Sequence, residues 1–322
     1  MRILLTGSSG WLGRFLAPRL REGGHEVTGL DVAPGPDTAC LGSVAERTLI
    51  ERVFADHRID AVVHAGALHK PDIVRYPKQA FVDVNVTGTL NLLEAAVAAG
   101  CDRFVFTSTT SLMISESVRA GKSGGATRAA WLSEDFGPLE PRNVYGVTKR
   151  AAEQICALVH RERRLPVVIL RTGRFFPEED DTHRHLDGRN IKANEFLNRR
   201  LTVEDCAEAH VAALEKAPGI GFGLYIVAAP PPFVGADAEA LIEDAPAVIS
   251  RYFPEAAEIY AGAGWRLPDH IDRVYDPSRA ERELGFRART DFAAILAALA
   301  EGRPLPFVHD PSYVSPKEGP PT

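Results

Sequence analysis

Cysteine is scarce and scattered: Cys40, Cys101, Cys156 and Cys206 are the only four in 322 residues, and no two form a CxxC pair. That spacing excludes a zinc ribbon or a disulfide framework and fits buried thiols in a reducing compartment. The chain also lacks any block of lysine and arginine, and its formal net charge is −6. The electrostatic footprint of a nucleic-acid-binding domain is therefore missing. No apolar stretch approaches the ~20 residues that span a bilayer. The opening run Met1-Arg2-Ile3-Leu4-Leu5 stops at Thr6-Gly7, short of a signal-peptide core. A cytoplasmic location, with no membrane or nucleic-acid partner, is the expectation. Repeats and low-complexity tracts are absent as well. What remains, 45% hydrophobic and 25% charged residues, is ordinary globular composition for a large domain with a smaller lobe.

The first half alternates short apolar runs with amphipathic stretches. Ile3–Thr6, Val27–Asp31, Ala61–Ala65, Arg103–Ser108 and Val167–Arg171 read as buried strands. Trp11–Glu22, Val44–Asp56, Val82–Ala99 and Tyr145–Arg163 read as the helices between them. This is the pattern of a doubly wound α/β fold, a parallel Rossmann sheet covered on both faces. After Arg171 the alternation fails, although Leu224–Ala228 reads as a late strand returning to the sheet. The expected division is a dinucleotide-binding domain over 1–173, with 203–229 returning to it. A small discontinuous substrate lobe and tail would occupy 174–202 and 230–322. The proline-rich tail, 302–322, should lie over the surface or fray.

Thr6-Gly7-Ser8-Ser9-Gly10-Trp11-Leu12-Gly13 stands where the first strand meets the first helix. Glycines there allow a tight turn and let the backbone approach a pyrophosphate, while the helix N-terminus offers unsatisfied N–H groups. The spacing is GxxGxxG and departs from the generic GxGxxG. Gly7, Gly10, Trp11, Leu12 and Gly13 are the candidate phosphate cradle. Asp31 ends the second strand, where an acid binds the ribose hydroxyls and repels a 2′-phosphate. NAD is therefore favoured over NADP; the competing reading is a turn-forming aspartate before Pro34.

Tyr145 and Lys149 lie four residues apart on one helical face. A phenol with a pKa near 10 is a poor base at neutral pH, and a nearby ammonium would bring it down. Ser108, Thr109 and Thr110 follow a strand at the edge where ligands bind, and a hydroxyl there would hold the substrate oxygen. Capping and turn formation are the bland roles for such residues. His183-Arg184-His185 beside the acids of 178–181 is too little for a metal site, so none is expected. His64 reads as a packed histidine, and His69 as a possible substrate contact.

Together these features resemble the extended short-chain dehydrogenase/reductase family, the NAD-dependent epimerase/dehydratase group. The resemblance runs through His64-Ala65-Gly66-Ala67, Asn85-Val86-Thr87-Gly88-Thr89, Tyr145–Lys149 and Val203-Glu204-Asp205, to Asp276-Pro277-Ser278-Arg279-Ala280 and Glu283-Leu284-Gly285-Phe286. It implies Tyr145 as acid/base, Lys149 on the nicotinamide ribose, and Thr109 with Ser108 orienting the substrate hydroxyl. It also implies that Ala65, Gly66, Ala67 and Asn85 line the dinucleotide groove, and that two helices pair across a two-fold axis into a homodimer. Ser43, beside Val44, replaces the aspartate that contacts adenine in many relatives. Thr109-Thr110-Ser111 lacks the carboxylates of the 4,6-dehydratases.

Only about thirty residues separate Arg171 from Val203, and this run resembles uronate dehydrogenases of the same superfamily. Arg174 is then a candidate for an acidic or strongly polar substrate group, with a salt bridge to the acids of 178–181 as the bland role. The glycine-rich excursion between Thr109 and Tyr145 is either a lid or a surface loop. The expected function is NAD-dependent hydride transfer at a carbinol or lactol carbon of a sugar-like substrate. The alternatives are an epimerase that retains NAD and a non-catalytic NAD-sensing protein.

Overall fold

The computed structural model describes residues 1–179 and 186–316; His183, His185, Asp180 and Asp181 lie outside them. Among the described residues, aliphatic and β-branched runs form nine strands: β1 (Arg2–Thr6), β2 (Glu26–Asp31), β3 (Cys40–Leu41), β4 (Ala61–His64), β5 (Arg103–Thr109), β6 (Ala130–Leu132), β7 (Val167–Thr172), β8 (Phe222–Val227) and β9 (Arg273–Tyr275). Seven of them make one sheet in the order β3-β2-β1-β4-β5-β7-β8, every neighbouring pair parallel. Ile3, Leu4 and Leu5 are fully buried, because a parallel sheet is covered on both faces. One face packs against the helices Trp11–Glu22 and Val203–Ile220. The other packs against Arg47–His57, Gly88–Ala99 and Val144–Arg163. The chain order reverses between β1 and β4, which opens a crevice at the strand ends.

A separate apolar core lies beyond the sheet. Phe196, Phe233, Leu241, Ile249, Tyr260, Val274 and Phe292 bury one another there. β6 and β9 pair as a small parallel ribbon at its edge, Ala130 opposite Arg273. Two such short strands, far apart in sequence, have no local signature. The excursion after Thr109 is tied to this core, since Lys122 N–H donates to Asp272 at 2.9 Å and its Nζ to the Glu243 carbonyl at 3.1 Å. Among the described residues no helix is long and apolar enough to cross a membrane.

Two elements depart from expectation. The single helix expected over Val82–Ala99 is broken into Lys78–Val82, a π turn at Asp83–Thr87, and Gly88–Ala99. The Thr89 hydroxyl donates to the Asn85 carbonyl at 2.7 Å. Such insertions into the hydrogen-bond ladder accompany π bulges near functional sites. Nor does the tail simply run over the surface. Tyr313 packs edge-on to Trp11 at 5.1 Å, and residues Tyr313–Pro316 line the crevice.

Candidate active site

The crevice is a cavity of roughly 1010 Å³ running from the glycine turn to β9. Gly7, Gly10, Trp11, Leu12, Gly13, Asp31, Ser43, Val44, Ala65, Gly66 and Ala67 form one end. Gly7 has φ +75, and a Cβ on it would stand 2.7 Å from the Gly66 nitrogen, so the turn after β1 can press against the loop after β4 only as glycine. A Cβ on Gly13 would stand 2.2 Å from the Gly7 carbonyl oxygen. The helix beginning at Trp11 has no side-chain cap and no acid in its first turn. Its uncapped N–H groups and positive dipole end suit phosphate. The Asp31 carboxylate accepts from Ser9 N–H at 2.9 Å and Ala33 N–H at 3.1 Å. It therefore braces the turn while lining the cavity. The uncapped helix end, the close-packed glycine turn and this acid fit a dinucleotide.

Asn85 plays a different part from the one expected. It is 1% exposed, exchanges both hydrogen bonds with the Leu68 backbone at 2.9 Å, and donates to Thr148 at 3.1 Å. With its amide saturated in this way it is not a groove contact; it fixes the Ala65–Leu68 loop that is one. Ser43 caps its own turn, accepting from Ala45 N–H at 3.2 Å. His64 is packed between Thr6 (2.7 Å) and Thr89 (3.1 Å).

In the middle of the cavity stand Tyr145, Lys149 and Thr109. Asn143 caps the Val144–Arg163 helix through Gly146 N–H at 3.0 Å. That puts Tyr145 in the first turn, where the helix dipole favours a phenolate. Burial nevertheless pushes the phenol up to about 12, the Thr109 hydroxyl hydrogen-bonded to it pulls it down, and the Asp72 carboxylate raises it. The tyrosine–lysine partnership expected from spacing is not the dominant influence. The Lys149 ammonium sits 4.1 Å over the Phe106 ring, and burial lowers it to about 7 against the opposing pull of Cys156 and Glu153.

Two hydroxyls expected at the substrate are committed elsewhere. Ser108 is 2% exposed and donates to Glu153 at 2.6 Å. Alternation along β5 turns it toward the helix that carries Glu153, on the face opposite Thr109's neighbours. Glu153 in turn takes a two-pronged pair from Arg171 at 3.0 and 2.7 Å, both residues being at most 4% exposed. Thr110 donates to the Thr172 carbonyl at 3.1 Å, stitching β7 to the β5 end.

At the far end lie His69, Arg174 and several residues that sequence reasoning did not find. The His69 ring packs tilted against Phe176 at 5.1 Å, and its backbone N–H donates to Asp72 at 2.8 Å. Arg174 Nε is 3.9 Å from Glu195. Asp72, Arg119, Arg199, Arg273 and Tyr275 also line this end. No motif marked them, because each reaches the cavity from a different segment. Alternation in Asp272-Arg273-Val274-Tyr275 was the one available signal, since it puts Arg273 and Tyr275 on a common face.

Comparison with known proteins agrees with this architecture. The model of the NAD dependent epimerase/dehydratase family matches residues 3–222. A UDP-glucose 4-epimerase of Azospirillum brasilense is 31% identical over 179 residues, which is 53% of the chain and 48% of that protein. The UDP-glucose 4-epimerase of Bacillus subtilis is 26% identical, with 90% of the chain and 93% of that protein covered. Among solved structures, the UDP-glucose 4-epimerase of Thermus thermophilus in complex with NAD superposes with a TM-score of 0.60 at 21% identity. That match covers 93% of the chain and 99% of that structure.

Proposed function

Because the chain belongs to the NAD-dependent epimerase/dehydratase family, within the extended short-chain dehydrogenases, we propose that it oxidises a carbinol or lactol carbon of a sugar-like substrate. The observation that carries this reading is the hydrogen bond of Thr109 to Tyr145 in the same cavity as the glycine turn. Bound NAD supplies the hydride-accepting carbon and a positive charge that favours the phenolate. Tyr145 takes the substrate hydroxyl proton as the carbon–hydrogen bond breaks and the carbonyl forms. Thr109 holds the phenol in place and stabilises its anion. Lys149, one helical turn from Tyr145, would hold the nicotinamide ribose. The buried Glu153–Arg171 pair fixes the helix under both residues. Asp31 and the turn Gly7–Gly13 would hold the ribose and pyrophosphate.

A second reading, epimerisation with the cofactor kept through the cycle, is favoured by the tail. Tyr313 lies against Trp11 at the nucleotide end, a placement that suits a retained dinucleotide. The relatives named UDP-glucose 4-epimerase also favour it. The test is a panel of free sugars, sugar acids and nucleotide sugars, read by NADH absorbance and product identity. One NADH per substrate consumed establishes the dehydrogenase, and turnover without net NADH establishes the epimerase. If no substrate turns over in a Tyr145-dependent way, both readings fall.

The reading extends to a homodimer through the helical stretch expected over Val82–Ala99 and the helix Val144–Arg163. Val82, Val147 and Leu158 remain 39%, 51% and 42% exposed in the single chain, and a two-fold contact would cover them. A monomeric mass in light scattering at micromolar concentration would rule this out.

A further inference from the structure

One residue of the cavity has no part in the chemistry above. Arg273 is only 8% exposed, and its Nε has no hydrogen-bond partner. Tyr275 hydrogen-bonds it from the same strand, and no ion pair joins it to a carboxylate among the described residues. Its sequence neighbour Asp272 accepts from Lys122 N–H at 2.9 Å and lies 3.6 Å from His270. Two further guanidiniums line the same wall: Arg199, from the segment before β8, and Arg119, from the excursion after β5. Burial, and then the like charges of Arg199 and Arg119, draw the Arg273 guanidinium below its ordinary range. The nearby acid is already shared. Glu195 takes Arg199 at 2.9 Å and Arg200 at 2.7 Å, with Arg174 at 3.9 Å. Three arginines therefore crowd the Glu195 carboxylate, Glu178 faces Arg174 and Arg200 as well, and among the described residues no carboxylate pairs with Arg273. A desolvated, uncompensated cation is among the least favourable things a fold can hold, so a wall of this kind is organised for an anion that arrives from outside.

We propose that Arg273, flanked by Arg119, Arg199 and Tyr275, is the subsite for an oxyanion on the substrate, a carboxylate or phosphate carried by the sugar, and that this role falls to Arg273 and not to Arg174. The proposal rests on the reading that the cavity takes a sugar-like substrate. A guanidinium grips a planar or tetrahedral oxyanion through two parallel N–H bonds. Held there, the sugar has its charged end on β9 and is kept from sliding along the cavity, while Tyr145 addresses a carbon nearer the middle. Arg174, already engaged with Glu195, braces Arg199 and Arg200 through their common carboxylate.

The test uses the full chain with NAD at constant ionic strength, probed with glucuronate, glucose 6-phosphate and glucose. Glucuronate or glucose 6-phosphate should raise the melting temperature and glucose should not; which of the two acts tells carboxylate from phosphate. Arg273→Met should erase the anion shift, and it should melt no lower than the parent in anion-free buffer because it removes an unpaired buried charge. Arg273→Lys should keep part of the shift. Among substrates that turn over, Arg273→Met should cut the ratio of kcat/KM for anionic over neutral sugars by roughly 30-fold or more, while Arg174→Met should move it less than about threefold. An anion shift that survives Arg273→Met, one that Arg174→Met erases instead, or no shift with either anion would overturn the proposal. An Arg273-dependent shift without turnover of any sugar would sink the oxidoreductase reading and leave the subsite standing. Tyr145-dependent turnover whose anion preference ignores Arg273 would do the reverse.

Discussion

At the nucleotide end of the cavity the lining comes mainly from the turn Gly7–Gly13 and the loop Ala65–Ala67, with Asp31 bracing the turn, and it offers mostly backbone. At the substrate end Arg119, Arg199 and Arg273 arrive from three distant segments, and charged side chains do what backbone does at the other end. Dinucleotide phosphates are recognised by N–H groups and a helix dipole, which any sequence supplies if glycine lets it come close. A particular sugar needs particular side chains, and those are placed only by packing of the small lobe against the sheet. The contrast predicts that damage near the reacting carbon and its buried charges will be severe, whereas the nucleotide end will lose affinity by degrees.

The largest effect is expected at Tyr145. Tyr145→Phe should lower kcat by about 10³-fold, within the range for losing a general acid–base group, while NAD binding measured by fluorescence titration stays within a factor of a few. A comparable loss of NAD binding would show that the two ends are not separable. Next comes Glu153→Gln, which leaves the buried Arg171 guanidinium without its anion. Unfolding in urea should show a stability loss of about 3 kcal/mol, and a loss under 1 kcal/mol would mean that the pair is not braced as its 2.7 Å contact suggests.

Thr109→Val removes the one hydrogen bond that pulls the Tyr145 phenol down. The rate should fall by about 10- to 100-fold, and the alkaline rise of the pH–rate profile should move to higher pH; an unmoved profile would detach Thr109 from the phenol. Lys149 supplies a pH test of stability. Its folded value, about 7, lies below the ordinary lysine range, so between about pH 7 and 10 the unfolded chain binds the extra proton. The stability of the parent relative to Lys149→Met should therefore rise with pH across that window, by at most about 1.4 kcal/mol per unit, and level off below pH 7. The smallest effect is at Asp31. Asp31→Asn keeps the brace on Ser9 but loses the charge, so NAD affinity should drop by about tenfold or less and the preference over NADP should shrink.

Much of the nucleotide end was legible in the sequence, for a physical reason: strand, turn and helix are contiguous there, and glycine spacing marks the turn even though Gly7 also answers to the loop after β4. What the sequence did not show is side-chain direction, since Ser108 and Thr110 do line the cavity but give their hydroxyl protons to other partners. Ser108 and Thr110 have the right type at the right strand end, yet one turns under the sheet to Glu153 and the other stitches β7. Asn85 was assigned to the groove on resemblance, but its amide is consumed by the Leu68 backbone. Arg174 was singled out because it follows a recognisable strand, while Arg273, on a three-residue strand paired with β6 far upstream, carried no such signpost.

Apolar periodicity and glycine spacing were enough to point to a dinucleotide-binding α/β chain, and the Tyr145–Lys149 interval to name a candidate proton-transfer residue. These are short-range properties, set by backbone sterics and by which face of an element must be buried. Tertiary structure alone decided which hydroxyl meets the phenol, which acid neutralises which arginine, and which guanidinium is left for an anion. Those outcomes depend on desolvation and on partners brought together from distant segments, and no local pattern encodes either.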